Sequence, residues 1–276
     1  MMKKRILNLI ALIAVLPILA CSKGGSDKGD ITPPPTGSTA DLKIMTYNVH
    51  HCSPPTKDRT FIDLNAIASV INIADPDIVA LQEVDVHTLR SGTGNDQAKL
   101  LGSLTGRHSY FAKAIDYEGG EFGVAILSKY PILSSSTVLL PHKDGVDYEQ
   151  RSMAVVKVKL PNGKEVIVAS THWDAEAHRL LQAQKIADYF QNETLPVIVG
   201  GDYNDQPGST SINYFDQFFK RTCTTGCAPS APSDAPTKAI DLIFYKSNDL
   251  TVLTHQVINN SYASDHRPVV ATFKFK

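Results

Sequence analysis

The chain has no excess of either charge. Its 276 residues carry 27 Lys and Arg against 28 Asp and Glu, a formal charge of −1. Proteins that track a nucleic-acid backbone usually show a basic surplus or a basic stripe, and neither is visible here. Long apolar runs are equally scarce. After Leu19, no stretch approaches the ~20 residues that cross a bilayer as a helix. Cysteine is limited to four residues. No internal repeat is visible, and no second linker breaks the chain after Ala40. Residues 41–276 therefore suit a single α/β domain, or two small ones.

What is present begins with a leader. Lys3-Lys4-Arg5 is a positive cluster, and Ile6 to Leu19 is an apolar run of signal-peptide length. Ile18-Leu19-Ala20-Cys21 sets a small Ala before Cys and resembles a bacterial lipobox. The expectation is a lipoprotein signal peptide over 1–20, with cleavage before Cys21 and acyl chains on its thiol and new amine. A plain secretory signal and an N-terminal anchor helix are the alternatives. Residues 21–40, with Pro33-Pro34-Pro35 inside, cannot bury enough apolar surface to fold and read as a tether. The chain is thus expected to be exported and lipid-anchored at a bacterial membrane, facing the periplasm or the outside. Losing Lys3, Lys4 and Arg5 takes the formal charge from −1 to −4. In an oxidising compartment, Cys223 and Cys227 are expected to pair. Metal binding by that pair is the alternative, although no second Cys/His pair sits beside it. Cys52 is left as a buried structural thiol.

One stretch organises the rest. Leu195-Pro196-Val197-Ile198-Val199 is a short β-branched run that Gly200-Gly201 breaks, and Asp202, Asn204 and Asp205 follow. Four other stretches share the design: Ile44 to Asn48, Ile78 to Glu83, Val166 to Asp174, and Ser264-Asp265-His266-Arg267-Pro268 ahead of the last strand. Together they deliver Asn, Glu, His, Asp and Asn to strand ends, which predicts one convergent site. Strands are expected near 42–48, 78–84, 109–114, 122–128, 152–160, 164–172, 195–201, 239–246, 250–257 and 268–275. Helices are expected near 60–74, 95–105 and 177–191, and Pro161-Asn162-Gly163 reads as a hairpin turn. Hairpins mixed with strand–helix units predict mixed sheets with helices outside.

The residue types point to phosphate chemistry on a hard cation. Glu83, Asn48 and Asp265 offer oxygen ligands, which suit Mg²⁺ or Mn²⁺ better than Zn²⁺. Asp202 can orient or deprotonate a water, or bind a second metal. Asn204 can donate to a phosphoryl oxygen. His266 and His172 can serve as base, acid or charge stabiliser. Asp241 heads the apolar strand Leu242-Ile243-Phe244-Tyr245, where an acid is costly unless a partner such as a His is at hand. At most one of His50 and His51 is expected to face a pocket. Trp173 and Asp174 read as pocket rim, Gln82, Arg90 and Asp96 as supporting or loop residues, and the remaining histidines as structural.

These motifs resemble the endonuclease/exonuclease/phosphatase superfamily, whose fold is that of pancreatic deoxyribonuclease. The resemblance runs from about Leu42 to Phe275 and rests on six motifs in the family's order: Thr46-Tyr47-Asn48, Leu81-Gln82-Glu83-Val84, Ser170-Thr171-His172, Gly201-Asp202-Tyr203-Asn204, Ile240-Asp241, and Ser264-Asp265-His266-Arg267-Pro268. It implies a four-layer α/β sandwich, two packed mixed β-sheets flanked by helices. It also implies a metal site at Glu83, with Asn48 and Asp265 near it, and His266 as catalytic base paired with Asp241. By the same resemblance Asp202 and Asn204 support water and phosphate, and His172 faces the scissile phosphate. Arg151 matches a phosphate-binding Arg, with a surface Arg as the alternative. Glu121 matches an acid that pairs with His172, with an exposed loop Glu as the alternative.

The reading is a monomeric, Mg²⁺- or Mn²⁺-dependent phosphoric ester hydrolase. Water attacks phosphorus in line, and a small or lipid-borne phosphodiester is favoured over a monoester. The stiff segment Thr222 to Pro236 is expected to wall the pocket. A secreted nuclease is the alternative, and a non-catalytic phosphate-binding module on the same fold is the remote one.

Overall fold

Two strand–helix–strand units organise this computed structural model, which describes residues 41–175 and 177–276. In the first, β1 (Leu42–Asn48) passes through a 3₁₀ turn at His50–Cys52 and α1 (Leu64–Ala74) and returns as β2 (Ile78–Val86), parallel to β1. In the second, β7 (Glu165–His172) leads through α3 (Arg179–Tyr189) to β8 (Val197–Asp202), again parallel. The signal peptide, Cys21 and the tether fall outside the described residues.

Each parallel pair sits inside a six-stranded mixed sheet. β3 (His108–Tyr117), β4 (Gly120–Ser128), β11 (Leu250–Val257) and β12 (Val269–Phe275) extend the first, in the order β11-β12-β1-β2-β4-β3. β5 (Ile132–Leu139), β6 (Ser152–Lys159), β9 (Lys220–Arg221) and β10 (Asp241–Lys246) extend the second, in the order β5-β6-β7-β8-β10-β9. α2 (Gln97–Thr105) joins α1 on the first sheet, and α4 (Thr210–Phe215) joins α3 on the second.

Side-chain alternation builds the layers. On β8, Ile198 points into the core between the sheets while Val197 and Val199 pack toward α3 and α4. On β1, Ile44 faces the middle and Met45 faces α1. Both faces of these strands are covered, so they read as continuous apolar runs rather than alternating ones. The result is the expected four-layer α/β sandwich.

The middle layer turns polar toward one end. Thr46 Oγ1 donates to Gln82 Oε1 at 3.3 Å, Gln82 Nε2 to Ser170 Oγ at 3.0 Å, and Ser170 Oγ to the Leu81 carbonyl at 2.8 Å. The chain ties the sheets together where they pack tightly. A Cβ on Gly200 would lie 3.0 Å from both Thr46 Cβ and Ala80 Cβ on the opposite sheet. Gly200→Val is therefore expected to lower stability by about 1–3 kcal/mol through overpacking. Urea denaturation checks this.

Boundaries depart from the sequence expectation where caps act. Asp63 accepts from Ala66 N at 2.9 Å and starts α1 at Leu64, not near 60. Asp96 caps α2 in the same way, which starts it at Gln97. The expectation contained neither β5, a serine-rich edge strand paired only to β6, nor the one-and-a-half-turn α4. Cys223 and Cys227 form the expected disulfide, with Cα atoms 5.4 Å apart. Cys52 is fully buried, and burial pushes its thiol pKa up.

Candidate active site

The topology explains why the polar strand ends converge. β1, β2, β7 and β8 all run toward the same edge of the sandwich and release Asn48, Glu83, His172 and Asp202 there. β10 runs antiparallel to β8 and therefore starts at that edge, with Asp241 directly opposite Asp202. β12 is antiparallel to β1, so the loop that precedes it brings Asp265 and His266 to the same place.

Glu83 reaches the site by a different device from the expected strand end. β2 continues to Val86, and a β-bulge between Leu81 and Val84 interrupts its pairing with β4. Glu83 sits in that bulge at φ 57°, which turns its side chain out of the strand and into the cleft.

Direct hydrogen bonds link the group. Asn48 Nδ2 donates to Glu83 Oε1 at 2.9 Å and to Asp202 Oδ2 at 3.1 Å, bridging the two sheets. Asp202 Oδ1 accepts the Asn204 backbone N–H at 2.9 Å. His266 Nδ1 lies 2.8 Å from Asp241 Oδ2, and its Nε2 faces Asp202 Oδ2 at 3.8 Å. Asp241 also accepts Ser230 Oγ–H at 2.5 Å, and its other oxygen is buried without a partner among the described residues. Ser264 Oγ donates to the Asn48 carbonyl at 2.7 Å and accepts the His266 N–H at 3.2 Å, which locks that loop onto β1. Asp265 is half-buried beside Ser264 and makes no hydrogen bond to Glu83 or Asp202 among the described residues.

Two side chains contact His172, and only Arg151 donates to it. Arg151 Nη1 contacts its Nδ1 at 3.0 Å, and Asn204 Nδ2 contacts its Nε2 at 3.1 Å. Arginine can only donate, so Nδ1 accepts and the ring proton sits on Nε2, which faces Asp202 Oδ2 at 3.5 Å. Arg151 is no surface arginine: its side chain is 12% exposed and is flanked by Glu149 at 3.3 Å. The acid expected to pair with His172 does not do so. Glu121 lies 3.3 Å from Lys113 on the neighbouring strand, and Arg151 occupies the His172 nitrogen instead.

Electrostatics separates the titrating groups. Burial, then the Asp241 charge, push Asp202 up to about 7. Burial, then Arg151 and His266, hold His172 well below the usual histidine range, so it is neutral. Burial would also lower His266, but Asp241's charge and hydrogen bond, with Asp202 and Asp265, outweigh it and hold this ring well above that range. Two buried carboxylates thus share one cationic imidazole, an arrangement that favours added positive charge.

The donors fit a hard divalent cation. Glu83, Asp202 and Asp265 supply carboxylate oxygens and Glu83 lines an open cleft, whereas Asn48 turns its amide N–H to Glu83 and Asp202 and its oxygen to the His50 N–H. A second grouping, Asp202, Asp241 and His266, has ligand atoms within 4.8 Å of one another. In that grouping Asp241 Oδ2 already holds His266 Nδ1, whereas Glu83 faces the open cleft.

Other expectations change. Trp173 is wholly buried against Tyr203 and Phe215, not at the rim. His50 and His51 turn to the Ser53 and Arg59 carbonyls, so neither reaches the catalytic cluster. Arg90 lines the cleft with Glu83, Tyr117, Phe122 and Glu149. The segment Thr222 to Pro236 supplies Ser230, and its Ser233 N–H donates to the Asp265 carbonyl at 2.7 Å. Its role is thus to hold the two acids. No motif in the sequence marked Ser230, Glu149 or Tyr117, because they come from loops and a strand end.

Comparison with known proteins places this arrangement. The Endonuclease/Exonuclease/phosphatase family model matches residues 45–266, which includes every strand end described above. The chain belongs to the endonuclease/exonuclease/phosphatase family. Family members are hydrolases that act on phosphate esters and generally depend on a divalent cation. Solved structures share the fold at low identity. An endonuclease/exonuclease/phosphatase from Beutenbergia cavernae is 23% identical, with TM-score 0.70, covering 86% of this chain and 72% of that one. A mannosyl-6-phosphatase from Bacteroides thetaiotaomicron is 20% identical, with TM-score 0.69, covering 85% of this chain and 100% of that one. The human Nocturnin catalytic domain with bound sulfate is 20% identical, with TM-score 0.66, covering 86% and 94%. Among curated protein sequences, none matches this chain.

Proposed function

We propose that this endonuclease/exonuclease/phosphatase family member hydrolyses a small or lipid-borne phosphodiester with Mg²⁺ or Mn²⁺. The observation that carries the reading is the bonded series Glu83–Asn48–Asp202, continued across 3.8 Å to the His266–Asp241 pair. It sets an oxygen cradle against an oriented imidazole.

In this mechanism water attacks phosphorus in line, and His266 Nε2 takes the water's proton. The opposite P–O ester bond breaks, the departing oxygen taking a proton from solvent to leave as the alcohol. His266 Nδ1 is committed to Asp241, while both oxygens of Asp202 are engaged by Asn48 and Asn204. A divalent cation held by Glu83 with Asn48, Asp265 and Asp202 would stabilise phosphoryl charge and, by offsetting the carboxylates, free His266 for proton transfer. His172 donates its Nε2–H, and Asn204 and Arg151 add donors, to the phosphoryl oxygens as charge builds. Arg151 Nε is buried without a hydrogen-bond partner among the described residues.

The favoured substrate class follows from charge. No basic stripe tracks a polymer backbone, and the formal charge is −1. The test compares initial rates on plasmid DNA, bis-p-nitrophenyl phosphate, phosphatidylinositol phosphates and sphingomyelin at matched Mg²⁺ and salt. Small or lipid-borne esters are expected to be the better substrates. Plasmid DNA cleaved far faster than every other ester, with a steep loss on adding salt, would replace this reading with a nuclease.

Export is part of the proposal. Cys21→Ser is expected to release the protein from membranes or stall its processing. Mass spectrometry of the mature chain checks this, and an unacylated N-terminus at another residue would contradict it.

A further inference from the structure

We propose that the cleft beside the reaction site, walled by Arg90, Tyr117, Phe122 and Glu149, receives a compact polyhydroxylated ring, a sugar or cyclitol, esterified to the scissile phosphate, and that Arg90 sets this preference. The proposal rests on the phosphate-ester reading above.

The cleft measures about 250 Å³ and shares Glu83, Arg151 and His172 with the reaction site. A group seated there would adjoin a phosphate held by Arg151 and His172. The volume lies below the ~300–1,000 Å³ of sites for drug-sized ligands, which points to a single ring.

Arg90 is unusually fixed for a loop arginine. It sits between β2 and α2, and its Nε and Nη2 donate to the fully buried Asp85 at 2.7 and 2.9 Å. Thr88 and Ser91 hydroxyls donate to the same carboxylate at 2.8 and 2.6 Å. The Arg90 backbone N–H donates to Glu118 at 2.9 Å. Its guanidinium lies over the Tyr117 ring at 4.5 Å and the Phe122 ring at 5.4 Å. With two of its nitrogens on Asp85, Nη1 alone is left without a partner among the described residues. The side chain is 13% exposed and lines the cleft, so a single aimed donor is presented there.

Charge and polarity select the occupant. Asp85 matches Arg90, and Glu149 lies 3.3 Å from Arg151, so no surplus cation remains for a second phosphate. The lining residues carry both kinds of group: Arg90 Nη1 donates, Glu149 accepts, and the Tyr117 hydroxyl can do both. Ring hydroxyls, each a donor and an acceptor, satisfy such a wall. An acyl chain would leave these groups desolvated without partners. Arg90 already covers one face of the Tyr117 and Phe122 rings, which reduces the aromatic surface left for stacking a nucleobase.

The experiment pairs esters of similar leaving group with and without hydroxyls. In the soluble arm, myo-inositol 1-phosphate and glucose 6-phosphate are compared with cyclohexyl phosphate. In the vesicle arm, phosphatidylinositol is compared with phosphatidylethanol. Wild type is expected to favour the hydroxylated ester in kcat/KM by about tenfold or more in one arm, and that arm identifies a free or a lipid-borne ring. Arg90→Met is expected to shrink this ratio about 10- to 100-fold, the effect of losing a charged hydrogen bond. Because that variant leaves Asp85 buried and unpaired, Glu149→Gln provides a second variant, with a smaller fall in the same ratio. Equal rates with and without hydroxyls, or a ratio that neither variant changes, would overturn the subsite. Hydrolysis of bis-p-nitrophenyl phosphate with no hydroxyl preference removes only the subsite. Hydrolysis of no ester in either arm, that one included, removes the phosphate-ester reading itself.

Discussion

Asp241→Asn is expected to lower kcat by about 10²–10⁴ while the protein stays folded. Asp241 is 2% exposed at the start of β10, and its Oδ2 lies 2.8 Å from His266 Nδ1. The carboxylate fixes a proton on Nδ1, so that when a bound cation offsets the carboxylates and the ring is neutral, Nε2 is the nitrogen that accepts. It also raises the basicity of the ring. Asparagine keeps the shape but removes the charge, and its amide can present a donor where an acceptor is needed. Most of the loss should appear in kcat, since Asp241 is not placed to touch substrate. Steady-state kinetics with a thermal melt of the same sample checks this. A folded Asp241→Asn protein within about threefold of wild type would place proton transfer elsewhere.

Glu83→Gln is expected to raise the Mg²⁺ concentration for half-maximal activity and to lower the rate at saturation, with the fold intact. The bulge that aims Glu83 is a backbone feature, so the amide should sit in the same place. What changes is the charge of the cradle, and hard cations depend on carboxylate charge for affinity. The Asn48 amide that now donates to Glu83 at 2.9 Å would face a neutral oxygen, a lesser loss. A Mg²⁺ titration of activity, wild type against variant, reads the shift. An unchanged titration would remove Glu83 from the cation site and favour the grouping of Asp202, Asp241 and His266.

The strands that carry the site were legible because each is buried on both faces. β1, β2, β7 and β8 leave uninterrupted β-branched runs, and the polar residues that end them stand out against that background. Asp241 was legible for the same reason, as an acid heading an apolar run. The rest depended on contacts that no local pattern records. Ser230 bonds Asp241 across eleven positions of sequence, and Arg151 bonds His172 across twenty-one. Glu121 stayed open between a partner of His172 and an exposed loop acid, and only its cross-strand neighbour Lys113 shows that it pairs elsewhere. Arg90 read as a loop residue, since its fixing agents are the buried Asp85 and two aromatic rings on other strands. β5 escaped notice because an edge strand with one half-exposed face tolerates serines that blur alternation.

The central claim is that Asn48, Glu83, Asp202, Asp241 and His266 form one cation-assisted site for phosphate-ester hydrolysis. Hydrolysis of bis-p-nitrophenyl phosphate, followed in Mg²⁺ and in EDTA for wild type and Asp202→Ala, tests it most directly. The account predicts turnover by wild type in Mg²⁺, loss of turnover in EDTA with recovery on adding Mg²⁺, and almost none from a folded Asp202→Ala protein under either condition. Turnover that survives EDTA, or an Asp202→Ala protein as active as wild type, would contradict it.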